Sequence, residues 1–258
     1  MIEQHAKNIR KNILKIANLS KSPHVGSALS VVDILTVLYF QILRLQDYEK
    51  RDIFILSKAH SAMALYATLY EKGFLKEDEL LSYYQNGGVL PAHTDRASNK
   101  YIEISAGSLG HGFPIGCGMA YSFRLKESDR KVYVLMGDGE SQEGSVWEAA
   151  MLAPHLGLNN LTIIIDRNNL QGYGRASELL SYEPIDKKFE AFNWDVFRID
   201  GHNYKEIEET LKIKTSKPKA VICDTVKGKG VSFMENQLKW HYFVVTDELL
   251  EEALKELE

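Results

Sequence analysis

The chain has few cysteines, no long apolar run and no excess of positive charge, and each absence excludes a class of protein. Its 258 residues include only two cysteines, Cys117 and Cys223, which form no disulfide framework and show no metal-ligand spacing. Because both lie in apolar surroundings, we expect buried thiols. No apolar run approaches the roughly 20 residues that a membrane-spanning helix needs. The formal net charge of −4 argues against a nucleic-acid-binding surface.

The rest of the composition is typical of a globular domain. Hydrophobic residues make up 45% of the chain and charged residues 26%, and 258 residues are enough for one large domain with a substantial core. The first twenty residues are amphipathic and lack the apolar segment of a secretory signal. We therefore expect one domain over residues 1–258, in the cytoplasm, with neither a membrane nor a nucleic acid as its partner.

The first half of the chain shows three helical patterns and one short strand. The expected elements are helices around residues 9–17, 31–43 and 59–73 and a buried strand at 51–57. Ser30 is the candidate N-cap of the second helix, and Gly73 is expected to end the third. A loop-rich stretch follows at 83–112, and irregular stretches of this length are usually functional.

The second half alternates apolar strands with helices. The expected elements are strands at 131–138, 161–166, 194–200 and 219–226, helices at 141–156 and 203–214, and a charged helix at the C-terminal end. Continuous Val/Ile/Leu runs between helices predict an α/β fold with a parallel sheet flanked by helices on both faces. Ligands of such sheets lie beyond the carboxyl ends of the strands. Four aspartates fall at or near these ends: Asp138, Asp166, Asp200 and Asp224.

Two of the strand ends carry the ligands that a hard divalent cation prefers. Asp138 ends one strand, and the next strand leads into Asn168 and Leu170. Mg²⁺ binds carboxylate, amide and backbone carbonyl oxygens together with phosphate oxygens. Since adjacent strand ends can present their residues to one point, we expect Asp138, Asn168 and the carbonyl of Leu170 to hold a metal ion.

The residues around Asp138 suit a phosphate group. Gly137 and Gly139 let the backbone approach a bulky anion, and a helix that begins near Ser141 would point its positive end towards it. Gly-Asp-Gly alone is a weak signal, because it also occurs in plain turns. Asn168 and Asn169, which follow after residues 140–167, make the pattern much more specific.

With this spacing the chain resembles the thiamine-diphosphate enzymes, and the wider context resembles the transketolase family. The resemblance runs in order along nearly the whole chain. It is carried by the segments SPHVGSALSVVDILTVLYF, LSKAHSAMALYATL, SAGSLGHGFPIGCGMA, GDGESQEGSVWEAAMLAPHLGLNNLTIIIDRNNLQGYGRA and VKGKGVSFMENQLKWH. It implies the thiamine-diphosphate-binding fold, and within it the domain that holds the diphosphate.

The resemblance also implies roles for individual residues. Thiamine diphosphate and Mg²⁺ or Ca²⁺ are the implied cofactors, with Asp138, Asn168 and the Leu170 carbonyl as metal ligands. Further cofactor contacts are implied for Gly107, Leu109, Gly139, His60 and His241. Catalytic roles, as hydrogen-bond donors or proton carriers, are implied for His24, His60, His93 and His241.

Each of these assignments has a plainer alternative. His24 and His93 could be ordinary loop residues, His60 a cap or a core histidine, and His241 a surface residue. Glu143 and Glu148 match acidic positions that lie near a subunit interface in relatives, but they could equally be a helix-start charge and a solvated face. Three other histidines are expected to be structural or solvated: His5, His155 and His202.

Three positions depart from the pattern of the family. His24 stands between Pro23 and Val25 where Gly-His-Pro is frequent, Ala59 replaces a common glycine, and His111 replaces a common glutamine. These departures bear on the fine geometry of the site, and a contribution of His111 stays open.

The resemblance further implies a partner. Transketolase chains carry a second domain that binds the pyrimidine ring and a third domain behind it, and nothing in this sequence matches either. We therefore expect a separate C-terminal subunit, with two copies of each chain in a heterotetramer. The implied reaction is transfer of a two-carbon ketol unit from a ketose phosphate to an aldose phosphate, in the pentose phosphate pathway.

Other functions stay open. The partner could make the complex a synthase that uses pyruvate or a specialised sugar transketolase, and the four histidines favour sugars over 2-oxo acids. A non-catalytic module that binds metal and diphosphate is a third hypothesis. A generic nucleotide-binding domain is disfavoured, because the chain has neither a G-x-G-x-x-G turn nor a Walker lysine motif.

Overall fold

The computed structural model describes all residues from 1 to 258 and contains one sheet of five parallel strands. The strands are β1 (Ile53–Leu56), β2 (Val132–Gly137), β3 (Leu161–Arg167), β4 (Asp195–Asp200) and β5 (Lys219–Asp224), in the order β1-β2-β3-β5-β4. Every neighbouring pair is parallel. The predicted α/β fold with a parallel sheet flanked by helices is confirmed, and so are all five predicted strands, with ends that differ by one or two residues.

Eleven helices surround the sheet. They are α1 (Ile2–Ser20), α2 (Val25–Leu29), α3 (Val32–Val37), α4 (Ala62–Glu71), α5 (Glu77–Leu81), α6 (Gly112–Leu125), α7 (Gly144–His155), α8 (Ala176–Leu179), α9 (Ile185–Ala191), α10 (Tyr204–Lys212) and α11 (Asp247–Glu256). Short 3₁₀ turns lie at 59–61, 140–142 and 238–241. None of the helices combines the length and the apolarity that a bilayer crossing requires.

Successive residues of β2 face different cores, which explains why its apolar run at 132–136 has no polar interruption. On β2, Tyr133 and Leu135 join a core of 45 buried residues that includes α1, α3 and α4. Val132 and Val134 face the other way, into a core of 23 buried residues with α6, α7 and α9. Because side chains alternate between the faces of a strand, a sheet covered on both faces needs apolar residues at every position. Cys117 and Cys223 are both buried and free, as predicted.

The predicted helix 31–43 is confirmed in its extent, because α3 and a π-helical turn at 38–42 together cover residues 32–42 without a break. Its last turn is π-helical, and Val31 is the N-cap residue of α3. Ser30 does not cap, because its hydroxyl donates to Asp166 Oδ2 at 2.7 Å and lies 3.0 Å from the Ser27 carbonyl oxygen. The buried carboxylate of Asp166, which is distant in the sequence, thus accepts a hydrogen bond from the hydroxyl that the sequence pattern assigned to a helix cap.

Glycines fit α6 closely against the sheet. A Cβ on Gly112 would lie 2.6 Å from Ser57 Cβ and 2.8 Å from Ser57 Cα, whereas a Cβ on Gly118 of the same helix would meet no atom within 4 Å. Overpacking against backbone costs about 1–3 kcal/mol. We expect Gly112→Ala to lower the free energy of unfolding by this amount. Gly118→Ala should leave it unchanged or raise it by up to about 1 kcal/mol, because alanine favours helix.

Urea unfolding of the two variants, followed by circular dichroism, checks this prediction. Gly118→Ala is the matched control, since it adds the same methyl group to the same helix at an exposed position. Equal unfolding midpoints for the two variants would contradict the close contact between α6 and the end of β1.

Candidate active site

A cleft of about 590 Å³ lies at the carboxyl ends of the strands. All ten residues predicted to serve catalysis, cofactor binding or metal binding line this cleft: His24, His60, His93, Gly107, Leu109, Asp138, Gly139, Asn168, Leu170 and His241. They come from segments spread over more than 200 residues of sequence. The cleft therefore lies where ligands of an open α/β sheet are expected to bind, at the carboxyl edge of the strands.

Asp138 is a buried carboxylate that forms no ion pair with a basic side chain. It is 4% exposed, its Oδ1 accepts from the Gly139 N–H at 2.7 Å, and its Oδ2 accepts from the Asn169 N–H at 2.6 Å. Burial, together with the negative charge of Asp166, raises the pKa of Asp138 to about 6. Asp166 forms an ion pair with Lys58, but no lysine, arginine or histidine is paired with Asp138. The environment of Asp138 therefore favours a bound cation.

Two neutral oxygens complete the donor set beside Asp138. Asn168 Oδ1 accepts from the Leu170 N–H at 3.0 Å, and the Leu170 carbonyl accepts from Lys227 Nζ at 3.1 Å. No cluster of three histidine, cysteine or acidic side chains with metal-binding geometry exists in the structure. A carboxylate, an amide oxygen and a backbone carbonyl fit a hard cation such as Mg²⁺, which takes its remaining ligands from phosphate and water. The residues present thus fit the predicted metal.

A buried ion pair fixes the orientation of Asn168. Lys58 and Asp166 are 1% and 0% exposed and form a direct ion pair. Asp166 Oδ2 also accepts from Asn168 Nδ2 at 2.9 Å. Burial alone would raise the pKa of Asp166, but the charge and hydrogen bond of Lys58 lower it, so Asp166 is ionised. The amide nitrogen of Asn168 is held by Asp166, and its oxygen is therefore the atom available to a metal.

Four histidines converge on one side of the cleft. The ring centroid of His24 lies 5.4 Å from that of His60, 4.9 Å from that of His241 and 6.3 Å from that of His93. The His24 N–H also donates to the His241 carbonyl at 3.0 Å. His24 has a φ of 73°, in the left-handed region that residues other than glycine rarely occupy. Such strained backbone is concentrated at functional sites.

Three of these histidines are neutral at pH 7. Burial, with the charge of nearby His93 and Lys227, lowers the pKa of His24 to about 4. Burial and the charge of Lys227 lower the pKa of His241 to about 3, and burial and Lys58 lower that of His60 well below its usual value. Of the two roles expected from the sequence, hydrogen bonding to a polar ligand is therefore favoured over carrying a proton.

Sequence reasoning missed two lysines beside the cleft. Lys58 lines the cleft and pairs with Asp166, whereas Lys227 lies behind Leu170 and is 1% exposed. Lys227 Nζ also contacts His241 Nδ1 at 2.9 Å, which places the ring proton of His241 on Nε2. The segments LSKAH and VKGKG contain the two lysines, and both segments carry the family resemblance. For Lys58 the available signal was a basic residue between the apolar segments 53–56 and 62–67, because lysine is rarely buried without a partner, whereas Lys227, followed by Gly-Lys-Gly, carries no such signal.

The backbone around the glycines differs in detail from the prediction. The helix expected to begin near Ser141 begins at Gly144, and residues 140–142 form a 3₁₀ turn. Ser141 Oγ donates to the Asp138 carbonyl at 2.5 Å, so this residue holds the turn instead of opening the helix. Gly139 packs closely, because a Cβ there would lie 3.1 Å from the side chain of Gln171.

The residues whose roles the sequence left open occupy different places. Glu143 is exposed and lines the cleft. Glu148 lies on the exposed face of α7, outside the cleft. His111 is also exposed and outside the cleft, with its ring nitrogen Nδ1 3.1 Å from the Leu109 carbonyl. Only Glu143 of these three could meet a ligand in the cleft directly.

Comparison with known proteins agrees with this architecture. The family model described as transketolase, thiamine diphosphate binding domain, matches residues 2–257. The apulose-4-phosphate transketolase subunit from Phocaeicola vulgatus is 40% identical over 263 residues, which cover 99% of this chain and 93% of that protein. The 6-deoxy-6-sulfo-D-fructose transketolase subunit SqwG of a Clostridium species is 38% identical, with 99% and 96% covered.

Longer proteins match over part of their length. Human transketolase is 33% identical over 99% of this chain, which is 42% of the human protein. Among solved structures, transketolase from Leishmania mexicana has a TM-score of 0.92 and 28% identity, with 100% of this chain and 41% of that chain covered. Transketolase from Campylobacter jejuni has a TM-score of 0.89 and 28% identity, with 98% and 43% covered. This chain thus spans about two fifths of the length of these proteins.

Proposed function

This chain belongs to the transketolase family, and we propose that residues 1–258 form the diphosphate-binding subunit of a split, thiamine-diphosphate-dependent transketolase. The observation that carries the proposal is the buried Asp138 carboxylate, which forms no ion pair with a basic side chain and lies beside Asn168 and the Leu170 carbonyl at the end of the sheet. In this proposal these three oxygens hold Mg²⁺ or Ca²⁺, and the metal ion holds the diphosphate. Gly139 and His60 face the same anion.

The chain binds and orients the cofactor, whose reactive ring it leaves open to a partner. Bound thiamine diphosphate supplies a nucleophilic carbon and an electron sink for breaking a carbon–carbon bond. His24, His93 and His241 line the adjoining part of the cleft. Their imidazole nitrogens, which are neutral in His24 and His241, offer hydrogen bonds to the hydroxyl and carbonyl oxygens of a sugar. The proposed reaction is transfer of a two-carbon ketol unit from a ketose to an aldose.

A separate partner chain is part of the proposal. The two relatives that match over 93% and 96% of their own length are named as transketolase subunits, whereas the human protein extends far beyond the match. We propose a C-terminal subunit that binds the pyrimidine half of the cofactor, with two copies of each chain. The names of these relatives also support a specialised sugar substrate over the pentose phosphate intermediates expected first from the sequence.

Reconstitution tests the proposed function. We expect the complex of this chain with its partner to transfer ketol units in the presence of thiamine diphosphate and Mg²⁺, and expect neither chain to do so alone. Removal of the metal with a chelator should abolish transfer, and adding Mg²⁺ back should restore it. The partner is obtained by affinity purification of this chain from its native cells, and transfer is measured with ketoses that include apulose 4-phosphate and sulfofructose.

Two results would contradict the proposal. Ketol transfer at ordinary enzyme rates by the purified chain alone would remove the need for a partner. Tight cofactor binding by a complex that transfers no ketol unit from any ketose tested would instead favour the non-catalytic binding module.

A further inference from the structure

A buried polar cluster lies behind the active site, on the face of the sheet that carries α1 and α3. Asp33, at 2% exposure, is its centre. Asp33 Oδ2 accepts from Arg10 Nη2 at 2.6 Å and from His202 Nδ1 at 2.8 Å, and Oδ1 accepts from the Tyr204 hydroxyl at 2.7 Å. Burial alone would raise the pKa of Asp33, but the His202 hydrogen bond and the Arg10 charge lower it to about 2. The carboxylate is therefore ionised and fully engaged.

His202 connects this carboxylate to the backbone of a loop. Its Nε2 accepts from the Val226 N–H at 2.8 Å. A ring nitrogen that accepts carries no proton, so the proton of a neutral imidazole must be on Nδ1, which donates to Asp33. The tautomer of His202 is thus fixed from both sides. The sequence predicts that His202 is structural or solvated. That prediction does not account for hydrogen bonds of fixed direction at both ring nitrogens.

We name residues 226–229 the lysine loop. The cluster holds both of its ends, because His202 bonds the Val226 N–H and Arg10 Nε donates to the Lys229 carbonyl at 3.0 Å. Between these ends, the Gly228 N–H donates to the Gly26 carbonyl at 2.9 Å, and Gly228 has a φ of 81°. Lys227 lies between the two anchored ends of the loop.

Lys227 is the link from the lysine loop to the active site. Its amine contacts both the Leu170 carbonyl and His241 Nδ1. A displacement of the lysine loop by even about 1 Å would move this amine away from a proposed metal ligand and from a histidine of the cleft. Groups behind the direct ligands of a metal orient those ligands, and their loss commonly costs about 10–100-fold in affinity.

We propose that His202 is a positioning residue, which transmits the fixed position of Asp33 through the lysine loop to Lys227 and thereby sets the affinity of the cleft for metal and diphosphate. This inference rests on the proposed function, because it assumes that the cleft holds thiamine diphosphate. A plain stabilising role for the cluster predicts something different, namely that any loss of its hydrogen bonds lowers stability without a specific effect on the cleft.

Three variants of the full chain separate the two roles. His202→Ala removes both bonds of the bridge, and His202→Gln offers an amide that can donate to Asp33 and accept from Val226. Tyr204→Phe is the matched control, since it removes one hydrogen bond to the same carboxylate and leaves the bridge intact. For each variant we would measure amide hydrogen exchange of the lysine loop, the affinity for thiamine diphosphate with Mg²⁺ by calorimetry, and the melting temperature.

We expect His202→Ala to speed exchange at the Val226 and Gly228 amides and to weaken cofactor binding by about tenfold or more. His202→Gln should restore much of both, and Tyr204→Phe should leave both within about twofold of the wild type, since it spares the bridge. A lower melting temperature in His202→Ala with unchanged loop exchange and affinity would overturn the proposal. Equal effects of Tyr204→Phe and His202→Ala on affinity would overturn it as well.

The two readouts keep this inference separate from the proposed function. If the wild-type chain bound no thiamine diphosphate with Mg²⁺, the proposed function would fail. The exchange measurement would still decide whether His202 holds the lysine loop, because it needs no ligand. Unchanged exchange in both His202 variants would remove the positioning role whatever the cleft binds.

Discussion

Replacing Asp138 with asparagine is expected to abolish ketol transfer by the assembled enzyme and to weaken Mg²⁺-dependent binding of thiamine diphosphate by more than roughly 100-fold. Asparagine keeps the shape of the side chain but removes the only anionic ligand that the protein offers to the proposed metal. Loss of groups behind a metal ligand already costs about 10–100-fold, so loss of a charged ligand should cost more. Calorimetric titration of the cofactor into the chain at fixed Mg²⁺ measures the binding, and a ketol-transfer assay of the complex measures the activity.

The same substitution should not weaken the fold, which separates it from a variant that simply unfolds. The pKa of Asp138 is raised from 3.8 to about 6, so at pH 8 folding holds the ionised carboxylate in an environment that favours the protonated form. The ionised group therefore costs stability above pH 6, on the order of 2–3 kcal/mol for two pKa units. Asparagine also loses one of the two backbone hydrogen bonds that the carboxylate accepts, at a cost of about 1–3 kcal/mol, so without ligands Asp138→Asn is expected to melt close to the wild type at pH 8.

Asp224→Asn is the matched control for this prediction. Asp224 is another aspartate at a strand end, but it is partly exposed, pairs with Arg167 and Arg198, and lies outside the cleft. Cofactor affinity should stay within about twofold of the wild type, because exposed ion pairs contribute little. Normal affinity in Asp138→Asn would show that this carboxylate does not hold the cation.

Much of the fold could be predicted from the sequence because the sheet is covered on both faces. β2, for example, is apolar at every position from Val132 to Met136, so its pattern survives in a single sequence. The helix α6 was missed for the opposite reason. Its residues Gly112, Gly116 and Gly118, with Pro114, lower helix propensity, and the helix forms because Gly112 and Gly116 let it pack closely against the sheet. Such a helix is stabilised by tertiary packing, and a local sequence pattern does not predict it.

The candidate site likewise contains residues whose proximity could be predicted from the sequence and residues whose proximity could not. Asp138 and Asn168 could be placed together because two adjacent parallel strands end there, which is a rule of topology. The meeting of His24 with His241 depends on α2 packing against the 3₁₀ turn at 238–241, a contact between distant segments. The resemblance to a family supplied that expectation, whereas spacing alone could not. The pairing of Lys58 with Asp166 was not found by either route.

Replacing Lys58 with methionine is expected to destabilise the protein by about 3–5 kcal/mol at pH 7, because it leaves Asp166 ionised, fully buried and without a cation. Removal of Lys58 also removes the charge that lowers the pKa of Asp166, so burial should then raise this pKa above 3.8. Urea unfolding of the wild type and the variant over a pH series measures the effect. The deficit should be largest at pH 7 and should shrink towards pH 4, since protonation relieves the unpaired charge only in the variant.

A double-mutant cycle shows whether the pair acts as one unit. The double variant Lys58→Met with Asp166→Asn should recover much of the lost stability, because a neutral pair avoids the cost of a single buried charge. Lys187→Met is the surface control: Lys187 pairs with Glu190 in an exposed position, and we expect no measurable change there.

Additive losses in the double variant would show that Lys58 and Asp166 do not compensate each other. Asp166 would then depend for its ionisation on its hydrogen bonds from Ser30, Thr225 and Asn168, and the proposed link from Lys58 to the amide of Asn168 would have to be given up.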